Sequence, residues 1–238
     1  MRTLAAADFV SHEPPLELAN DEIHLWFFPQ CGIAGAAGRN VQHCLHELLA
    51  SYLHIDARDL LVQRNAHGKP FLAGLADGAT LQFNLAHSGK ALLVGISRSQ
   101  ALGVDLETGQ RTRPWLALAQ RYFAAAETAA LVALPRALQA AAFLDLWSCK
   151  EAVLKSLGRG IAFGLHRLSF ALDADGAVTH LAQIDDEGGA RSAWHVLRLR
   201  PEDGTCGALA WHGPARTVRA FQQASARDDG PPPRAAHL

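Results

Sequence analysis

The sequence predicts an α+β protein built in two parts, and three observations lead to this prediction. Apolar residues make up 49% of the 238 residues, which is enough for a sizeable core. The predicted elements follow the order strand, helix, strands, and then the similar order strand, helices, strands, with the junction of the two parts near Gly103. The length suits one large domain or two small ones of roughly 100 to 150 residues each. No repeat in the sequence itself accompanies the rhythm.

Composition excludes several classes of protein. The net charge is −1 and the sequence pI is about 6.9, whereas a broad nucleic-acid surface needs a basic face. The four cysteines are widely spaced without a C-x-x-C pair, which argues against a structural zinc site or a disulfide framework and favours a reducing compartment. Asp8 interrupts any signal-like run, and no apolar run is long enough for a membrane span. We therefore predict a soluble, cytoplasmic protein.

The first part of the chain contains one helix among several strands. Strands are predicted at residues 23–28, 60–63, 81–85 and 91–96, and helical spacing of apolar residues predicts a helix over residues 39–53. Gly68 and Pro70 mark a turn with Lys69 at its tip. His87 is predicted at the bend of the hairpin formed by the last two strands, where a lone histidine has either a structural or a functional role.

The second part begins with a strand over residues 101–107. Two helices follow, over residues 115–134 and 136–157, with Pro135 between them. The chain then turns β-rich, with strands predicted at residues 168–172, 193–199 and 206–211. The tail from residue 226 is rich in proline and is predicted to be disordered.

An acidic pair lies on the strand at this junction. Side chains alternate between the faces of a strand, so Asp105 and Glu107 point the same way, while Val104 and Leu106 point to the core. Two carboxylates about 7 Å apart repel each other unless a cation lies between them. The pair is therefore either a solvated strand end or a site for a divalent cation with hard oxygen ligands.

A second group of polar residues lies on the helix that ends near residue 157. Trp147, Glu151 and Lys155 follow at i, i+4 and i+8 and share one stripe of the helix. Glu151 and Lys155 alone are compatible with an ordinary surface ion pair. The alternative is that Glu151 meets the acidic pair on the strand.

The order of these signals resembles the 4′-phosphopantetheinyl transferases, specifically the large monomeric, surfactin-synthetase-activating type that acts on peptide and polyketide synthases. The family's two diagnostic patterns, G-[IV]-D-[IVL]-E and W-x-x-K-E-[AS]-x-x-K, are complete at residues 103–107 and 147–155. Residues 121–127 also match the family's R-x-F-x-x-x-E stretch. The resemblance extends over residues 60–170 and is weak in the flanks.

The resemblance implies a fold and a reaction. It implies two similar subdomains, each a small, mostly antiparallel sheet packed on helices, related by a pseudo-twofold axis. Residues 1–102 would form the subdomain on the side of the 3′-phosphate and adenine of coenzyme A. Residues 103–225 would carry the metal-binding and catalytic motifs. Such an enzyme transfers the phosphopantetheine arm of coenzyme A to a serine of an apo carrier protein, depends on Mg²⁺ and releases 3′,5′-ADP.

The resemblance also implies roles for individual residues. Asp105, Glu107 and Glu151 would hold Mg²⁺, and Glu151 would also be the base for the incoming serine. Lys155 would contact a phosphate and stabilise the departing ADP. The expected coenzyme A contacts are Arg39 and His87 at the 3′-phosphate, Lys69 and Pro70 beside the adenine, and Lys150 at a phosphate or a neighbouring carboxylate. Trp147 is assigned to packing.

The chain departs from the family pattern at two places. Ala86 stands where the family has a serine that donates to the 3′-phosphate, and the basic segment before residue 39 is missing. Losing one charge-assisted hydrogen bond costs roughly 1.5 to 3 kcal/mol of binding.

Three questions about function stay open from the sequence. A carrier-docking surface is expected at Arg111, Arg113, Trp115 and Leu116. The carrier itself, from fatty-acid, polyketide or nonribosomal-peptide synthesis, is undetermined. The alternatives to a monomeric transferase of the holo-[acyl-carrier-protein] synthase type are a non-catalytic module that binds coenzyme A or a carrier protein, and a metal phosphohydrolase.

Overall fold

The fold is α+β, as predicted, and consists of two mixed sheets with helices packed on them. The computed structural model describes residues 1–14, 16–31, 40–74, 81–109 and 114–223. The helices are α1 (Val41–Leu53), α2 (Trp115–Tyr122), α3 (Ala125–Ala133) and α4 (Arg136–Leu157). The strands are β1 (Thr3–Ala5), β2 (Phe9–His12), β3 (Glu22–Phe28), β4 (Leu61–Arg64), β5 (Pro70–Ala73), β6 (Gln82–Ser88), β7 (Ala91–Ser97), β8 (Leu102–Thr108), β9 (Leu168–Leu172), β10 (Val178–Ile184), β11 (Trp194–Arg200), β12 (Thr205–His212) and β13 (Thr217–Gln223).

The first sheet has five strands in the order β2-β13-β3-β7-β6. Helix α1 packs on it through Leu45, Leu48 and Leu49, which share a core with Trp26 of β3. The helix starts two residues later than predicted because Asn40 is its cap: the side chain of Asn40 accepts from the backbone N–H of His43 at 2.8 Å.

The second sheet has four strands in the order β1-β11-β12-β8. Helix α4 lies across β8 and β12 and buries Phe143, Leu146 and Val153 in a core that also contains Ala208 and Ala210 of β12. Two hairpins, β4–β5 and β9–β10, form separate two-stranded sheets. We use the word seam for the contact between β8 and α4.

The two sheets exchange strands from the two ends of the chain. Strand β1 pairs in parallel with β11 of the second sheet, and β13 lies between β2 and β3 of the first sheet and is parallel to both. The predicted division at residues 102 and 103 is thus crossed twice by strand pairing. The subdomain boundaries and the pseudo-twofold axis stay predictions.

Two local predictions are wrong. The helix predicted over residues 115–134 is broken at Phe123, whose backbone is extended, because the Glu127 carboxylate caps a new helix by accepting from the N–H of Ala124 at 3.1 Å. His87 lies within β6 rather than at the bend, which is formed at Gly89 with a φ of 59°. The tail predicted to be disordered lies outside the described residues. Within the described ranges, no helix combines the length and apolar character that a bilayer crossing requires.

Candidate functional site

Strand β8 and helix α4 touch through their backbones at Gly103. A Cβ atom on Gly103 would lie 2.1 Å from the carbonyl oxygen of Ala152 and 2.3 Å from the nitrogen of Ser156. Any side chain at this position would therefore separate the helix from the strand. The glycine brings polar side chains of the two elements close together.

The acidic pair lies on the same face of β8 as Gly103. Asp105 and Glu107 are only 6% and 7% exposed, and Val104 and Leu106 are buried on the opposite face. The alternation agrees with the sequence prediction, whereas a solvated strand end does not agree with this burial. Two carboxylates of this kind are costly to bury unless they have cationic or hydrogen-bonding partners.

Helix α4 adds a third carboxylate, Glu151. The pKa of Glu151 is raised to about 7, mainly by burial and also by the negative charges of Asp105 and Glu107, while Lys155 opposes the shift. Oδ2 of Asp105 and Oε1 of Glu151 are buried without a hydrogen-bond partner. Both observations indicate a concentration of negative charge that the chain itself only partly neutralises.

Lys155 supplies the neighbouring positive charge. Its Nζ lies 2.8 Å from Oδ1 of Asp105, and the lysine side chain stays 27% exposed. Lys155 thus joins α4 to β8 by a partly buried, charge-assisted hydrogen bond. Because it is still reached by solvent, it can also approach a phosphate.

The donor set fits a hard cation. Unpartnered carboxylate oxygens on Asp105 and Glu151 are the ligands that Mg²⁺ prefers, and Glu107 lies within electrostatic range of Glu151. Among the described residues, no group of three or more His, Cys, Asp or Glu side chains is already assembled as a metal site. The residues therefore fit a hard cation by the type of their oxygen atoms and by their closeness in the fold.

Lys150 lies beside a neighbouring carboxylate, one of the two places predicted for it. Its side chain is completely buried, with Nζ 2.6 Å from Oε2 of Glu127 and donating to the carbonyls of Leu165 and Leu168. The predicted contact with a neighbouring carboxylate is thereby present, and the contact with coenzyme A stays a prediction. Lys150 holds the start of β9 and the turn before it against α4, because Leu168 and Leu165 supply the two carbonyls.

Lys69, predicted at the tip of a turn, directs its side chain to the backbone of β8 and α4. Its Nζ donates to the carbonyls of Lys155 at 2.7 Å, Leu102 at 3.1 Å and Ser156 at 3.4 Å. Burial lowers the pKa of Lys69 to about 8. Pro70 next to it begins β5 and is partly exposed.

The remaining predicted contacts lie on the first sheet or outside the described residues. His87 is exposed on β6, while Ala86 is buried on the opposite face. The hydroxyl of Ser88 is bonded to Thr108 at 3.1 Å, so Ser88 does not replace the serine that is missing at Ala86. Arg39, expected at the 3′-phosphate, lies outside the described residues.

The expected docking surface is described only in part. Arg111 and Arg113 lie outside the described residues, and Leu116 is 37% exposed on α2. Trp115 is partly buried against Phe143. Trp147 packs against Phe143 and Tyr122, in line with its predicted packing role.

Sequence reasoning assigned no role to Asn84. This buried side chain on β6 accepts through Oδ1 from the N–H of Val104 at 2.9 Å and so joins the first sheet to β8, one residue before Asp105. Its signal was a polar residue between Phe83 and Leu85 in an apolar strand. A buried amide of this kind needs a hydrogen-bond partner, and the backbone of β8 supplies it.

Fold and site together define a class of protein: an α+β protein with a cluster of buried carboxylates beside a lysine, which suits phosphate chemistry. Residues 101–209 match the family model of the 4′-phosphopantetheinyl transferase superfamily. The chain is 29% identical over 229 residues to the 4′-phosphopantetheinyl transferase HetI of Nostoc sp. (84% of this chain, 92% of the relative). It is 34% identical over 140 residues to psf-1 of Bacillus pumilus (58% of this chain, 55% of the relative) and 31% identical over 136 residues to Sfp of Bacillus subtilis (57% of this chain, 58% of the relative), both named as 4′-phosphopantetheinyl transferases. These matches support the 4′-phosphopantetheinyl transferase superfamily, through a family model over residues 101–209 and through relatives that bear its name. The two Bacillus relatives are matched over little more than half of their length.

Proposed function

We propose that this protein transfers the 4′-phosphopantetheine arm of coenzyme A to a serine of an apo carrier protein. The observation that carries the proposal is the meeting of Asp105 and Glu151, each with an unpartnered buried oxygen, beside Lys155. The names of the relatives support the same reaction. The finer assignments, namely the holo-[acyl-carrier-protein] synthase type, Mg²⁺ dependence, a monomeric state and a cytoplasmic location, belong to this proposal.

The reaction requires a group that accepts the serine proton and groups that stabilise the negative charge on the phosphates. The serine oxygen forms a bond to the phosphorus that carries the pantetheine arm, the phosphorus–oxygen bond to the adenosine side breaks, and 3′,5′-ADP leaves. Glu151 is the proposed acceptor of the serine proton, directly or through a water. Lys155, one helical turn further on, donates to a phosphate oxygen of the leaving group.

Asp105, Glu107 and Glu151 are the residues that would hold Mg²⁺. When bound, the ion supplies charge neutralisation at the pyrophosphate. The protein contributes position: Gly103 lets α4 lie directly on β8, and Asn84 fixes β8 to the first sheet. On the first sheet, His87 is the proposed contact for the 3′-phosphate, because it is exposed on the strand next to this seam.

The direct test uses mass spectrometry of a carrier protein. The purified protein is incubated with coenzyme A, Mg²⁺ and a panel of apo carriers from fatty-acid, polyketide and nonribosomal-peptide synthesis. We expect at least one carrier to gain the mass of one phosphopantetheine arm, and 3′,5′-ADP to appear in equal amount.

The controls separate transfer from binding alone. A carrier whose acceptor serine is replaced by alanine should gain no mass, and omission of Mg²⁺ with added chelator should stop the reaction. Binding of coenzyme A without mass gain on any carrier would contradict the proposal and favour the non-catalytic module. Release of phosphate from coenzyme A without a carrier would favour a phosphohydrolase.

A further inference from the structure

The turn between β4 and β5 reaches across the seam through the side chain of Lys69. The ammonium group has three N–H donors, and three carbonyl oxygens lie within 3.4 Å of it, those of Leu102, Lys155 and Ser156. The side chain is largely withdrawn from solvent. Lys69 therefore uses its full donor capacity within the protein.

The turn is built to hold Lys69 in this place. Oδ1 of Asn65 accepts from the backbone N–H groups of both His67 and Lys69 at 2.9 Å, and Gly68 has a φ of 82° that favours glycine. Nδ2 of Asn65 donates to the carbonyl of Gly158 at 3.3 Å, so the turn contacts the end of α4 at a second point. The orientation of Lys69 is thus set by its own hairpin and by its target.

The three carbonyls belong to the two elements that form the candidate site. Leu102 begins β8, three residues before Asp105, whereas Lys155 and Ser156 are in the last turn of α4. The last carbonyls of a helix carry partial negative charge, which a cation stabilises. The carbonyl of Lys155 accepts from the N–H of Gly158 at 3.2 Å as well as from Lys69. One ammonium group therefore ties the end of α4 to the start of β8 beside Gly103.

We propose that Lys69 is a positioning residue for the transfer reaction, which clamps α4 to β8 and so sets the separation of Glu151 and Lys155 from Asp105. This inference rests on the proposed function. It departs from the expectation that Lys69 binds beside the adenine, because the ammonium group is already engaged by backbone carbonyls. A clamp and a ligand contact make different kinetic predictions.

The first test compares Lys69→Met with the wild type in the carrier-modification assay. A clamp predicts a fall in kcat of roughly 10- to 100-fold, because small displacements of catalytic groups have effects of that size. KM for coenzyme A should stay within about threefold, since no ligand contact is lost. Arg58→Met is the matched control: Arg58 is an exposed cation before the same hairpin and pairs with Asp56, so its replacement should leave both constants unchanged.

A chemical rescue tests whether charge is the cause. The four native cysteines are all buried, whereas position 69 is partly exposed, so a thiol introduced by Lys69→Cys is more accessible to reagents than the native ones. Alkylation with 2-bromoethylamine rebuilds a side chain of lysine length with an ammonium group, and methylthiolation adds an uncharged group instead. The clamp predicts that the first treatment restores kcat and that the second does not. This arm also applies if Lys69→Met does not fold.

The outcomes separate the possibilities. A raised KM for coenzyme A with unchanged kcat would overturn the clamp in favour of an adenine contact. Unchanged constants, or equal recovery after both chemical treatments, would also overturn it. A wild-type protein that modifies no carrier contradicts the proposed function itself, whereas an active wild type with an equally active Lys69→Met contradicts only the role of Lys69.

Discussion

The unpartnered oxygens of Asp105 and Glu151 are the residue-scale feature from which the chemistry follows. A buried carboxylate oxygen without a hydrogen bond lowers the stability of the fold, and a second carboxylate nearby adds repulsion. The site therefore contains an arrangement that is unfavourable for folding and that a bound cation would relieve. Stability and activity are expected to respond to substitution in opposite directions.

The substitution Glu151→Gln tests this opposition. It removes a negative charge that repels Asp105, so the free energy of unfolding without metal should stay equal or rise. Transfer should fall by about a hundredfold or more, since both a ligand and the proposed proton acceptor are lost. Urea unfolding and the carrier-mass assay measure the two quantities, and Glu47→Gln, at an exposed position of α1, is the control. Near-normal transfer would exclude Glu151 from the site.

The proposed contact between His87 and the 3′-phosphate can be tested by comparing coenzyme A with its 3′-dephospho form. If its exposed ring binds the 3′-phosphate, His87→Ala should weaken coenzyme A binding by roughly 1.5 to 3 kcal/mol. The same substitution should change binding of 3′-dephospho-coenzyme A little. Isothermal titration with both ligands gives the comparison, and equal losses for the two would contradict the assignment.

The positions of the carboxylates on β8 could be predicted from the sequence, but the surroundings of the lysines could not. Alternation along β8 is a short-range property, and it placed Asp105 and Glu107 correctly. Lys150 and Lys155 are five residues apart in one motif, yet one is fully buried and the other is partly exposed. Their difference depends on Glu127 and Asp105, which come from other elements, and no helical period contains that information.

At the element scale, the break between α2 and α3 is stabilised by a buried carboxylate. Glu127 accepts from the N–H of Ala124 and from that of Phe170, and it pairs with Lys150. One side chain thus sets the start of α3, the approach of β9 and the environment of α4.

Removing one partner of this pair should destabilise the fold strongly. We expect Glu127→Ala to lower the free energy of unfolding by roughly 3 to 5 kcal/mol, because the Lys150 charge stays buried. The double substitution Glu127→Gln with Lys150→Met should cost less than Glu127→Ala alone. Urea unfolding measures both, and Glu187→Ala at an exposed ion pair is the control, with little change expected. A small effect of Glu127→Ala would contradict the structural role.

A buried histidine joins β3 to α1. Nε2 of His24 donates to Glu22 at 3.1 Å, and its Nδ1 accepts from the hydroxyl of Tyr52 at 2.7 Å, which in turn accepts from Trp26. Burial lowers the pKa of His24, with Glu22 opposing this and Arg219 adding to it. The folded state thus favours the neutral ring.

This histidine should make the stability of the fold dependent on pH. The unfolded chain binds a proton near the ordinary pKa of 6.5, which the folded chain resists, so stability is complete above that value and falls as the pH decreases towards the lower folded pKa. The loss is at most about 1.4 kcal/mol per pH unit. Urea unfolding of the wild type and His24→Gln at about pH 8 and about pH 5.5 isolates the contribution. An equal loss in both proteins would contradict it.

For the whole molecule, the strand exchange makes the two sheets dependent on each other. Strand β13 has partners on both sides in the first sheet, and β1 forms an edge of the second. Neither half of the chain contains all the strands of its main sheet. The two halves should therefore unfold together.

Separate expression of residues 1–102 and 103–223 tests this dependence. We expect neither fragment to show a cooperative thermal transition by circular dichroism, because the first lacks β13 and the second lacks β1. Mixing the fragments should restore part of the native signal. A cooperative transition in the isolated first fragment would contradict the expectation and support independent subdomains.

The strands that the sequence analysis missed are those at the sheet edges and chain ends. The apolar strands β3 and β7 were predicted because both of their faces are buried. Strand β13 has only two fully buried residues, Ala220 and Phe221, and polar residues around them, so its pattern resembles a loop. Its place is determined by partners nearly the whole chain away, which local patterns do not reveal.

The position of β13 also has a consequence for the order of synthesis. Glu22 is made near the start of translation, and its partner Thr217 is made near the end of the described chain. Until β13 leaves the ribosome, β2 and β3 each have one edge whose backbone hydrogen bonds to β13 are not yet formed. Closing so long a stretch of chain is entropically costly and slow. The growing chain therefore exposes these strand edges to neighbouring nascent chains for most of its synthesis. A holdase chaperone that binds the chain before its release would protect these edges.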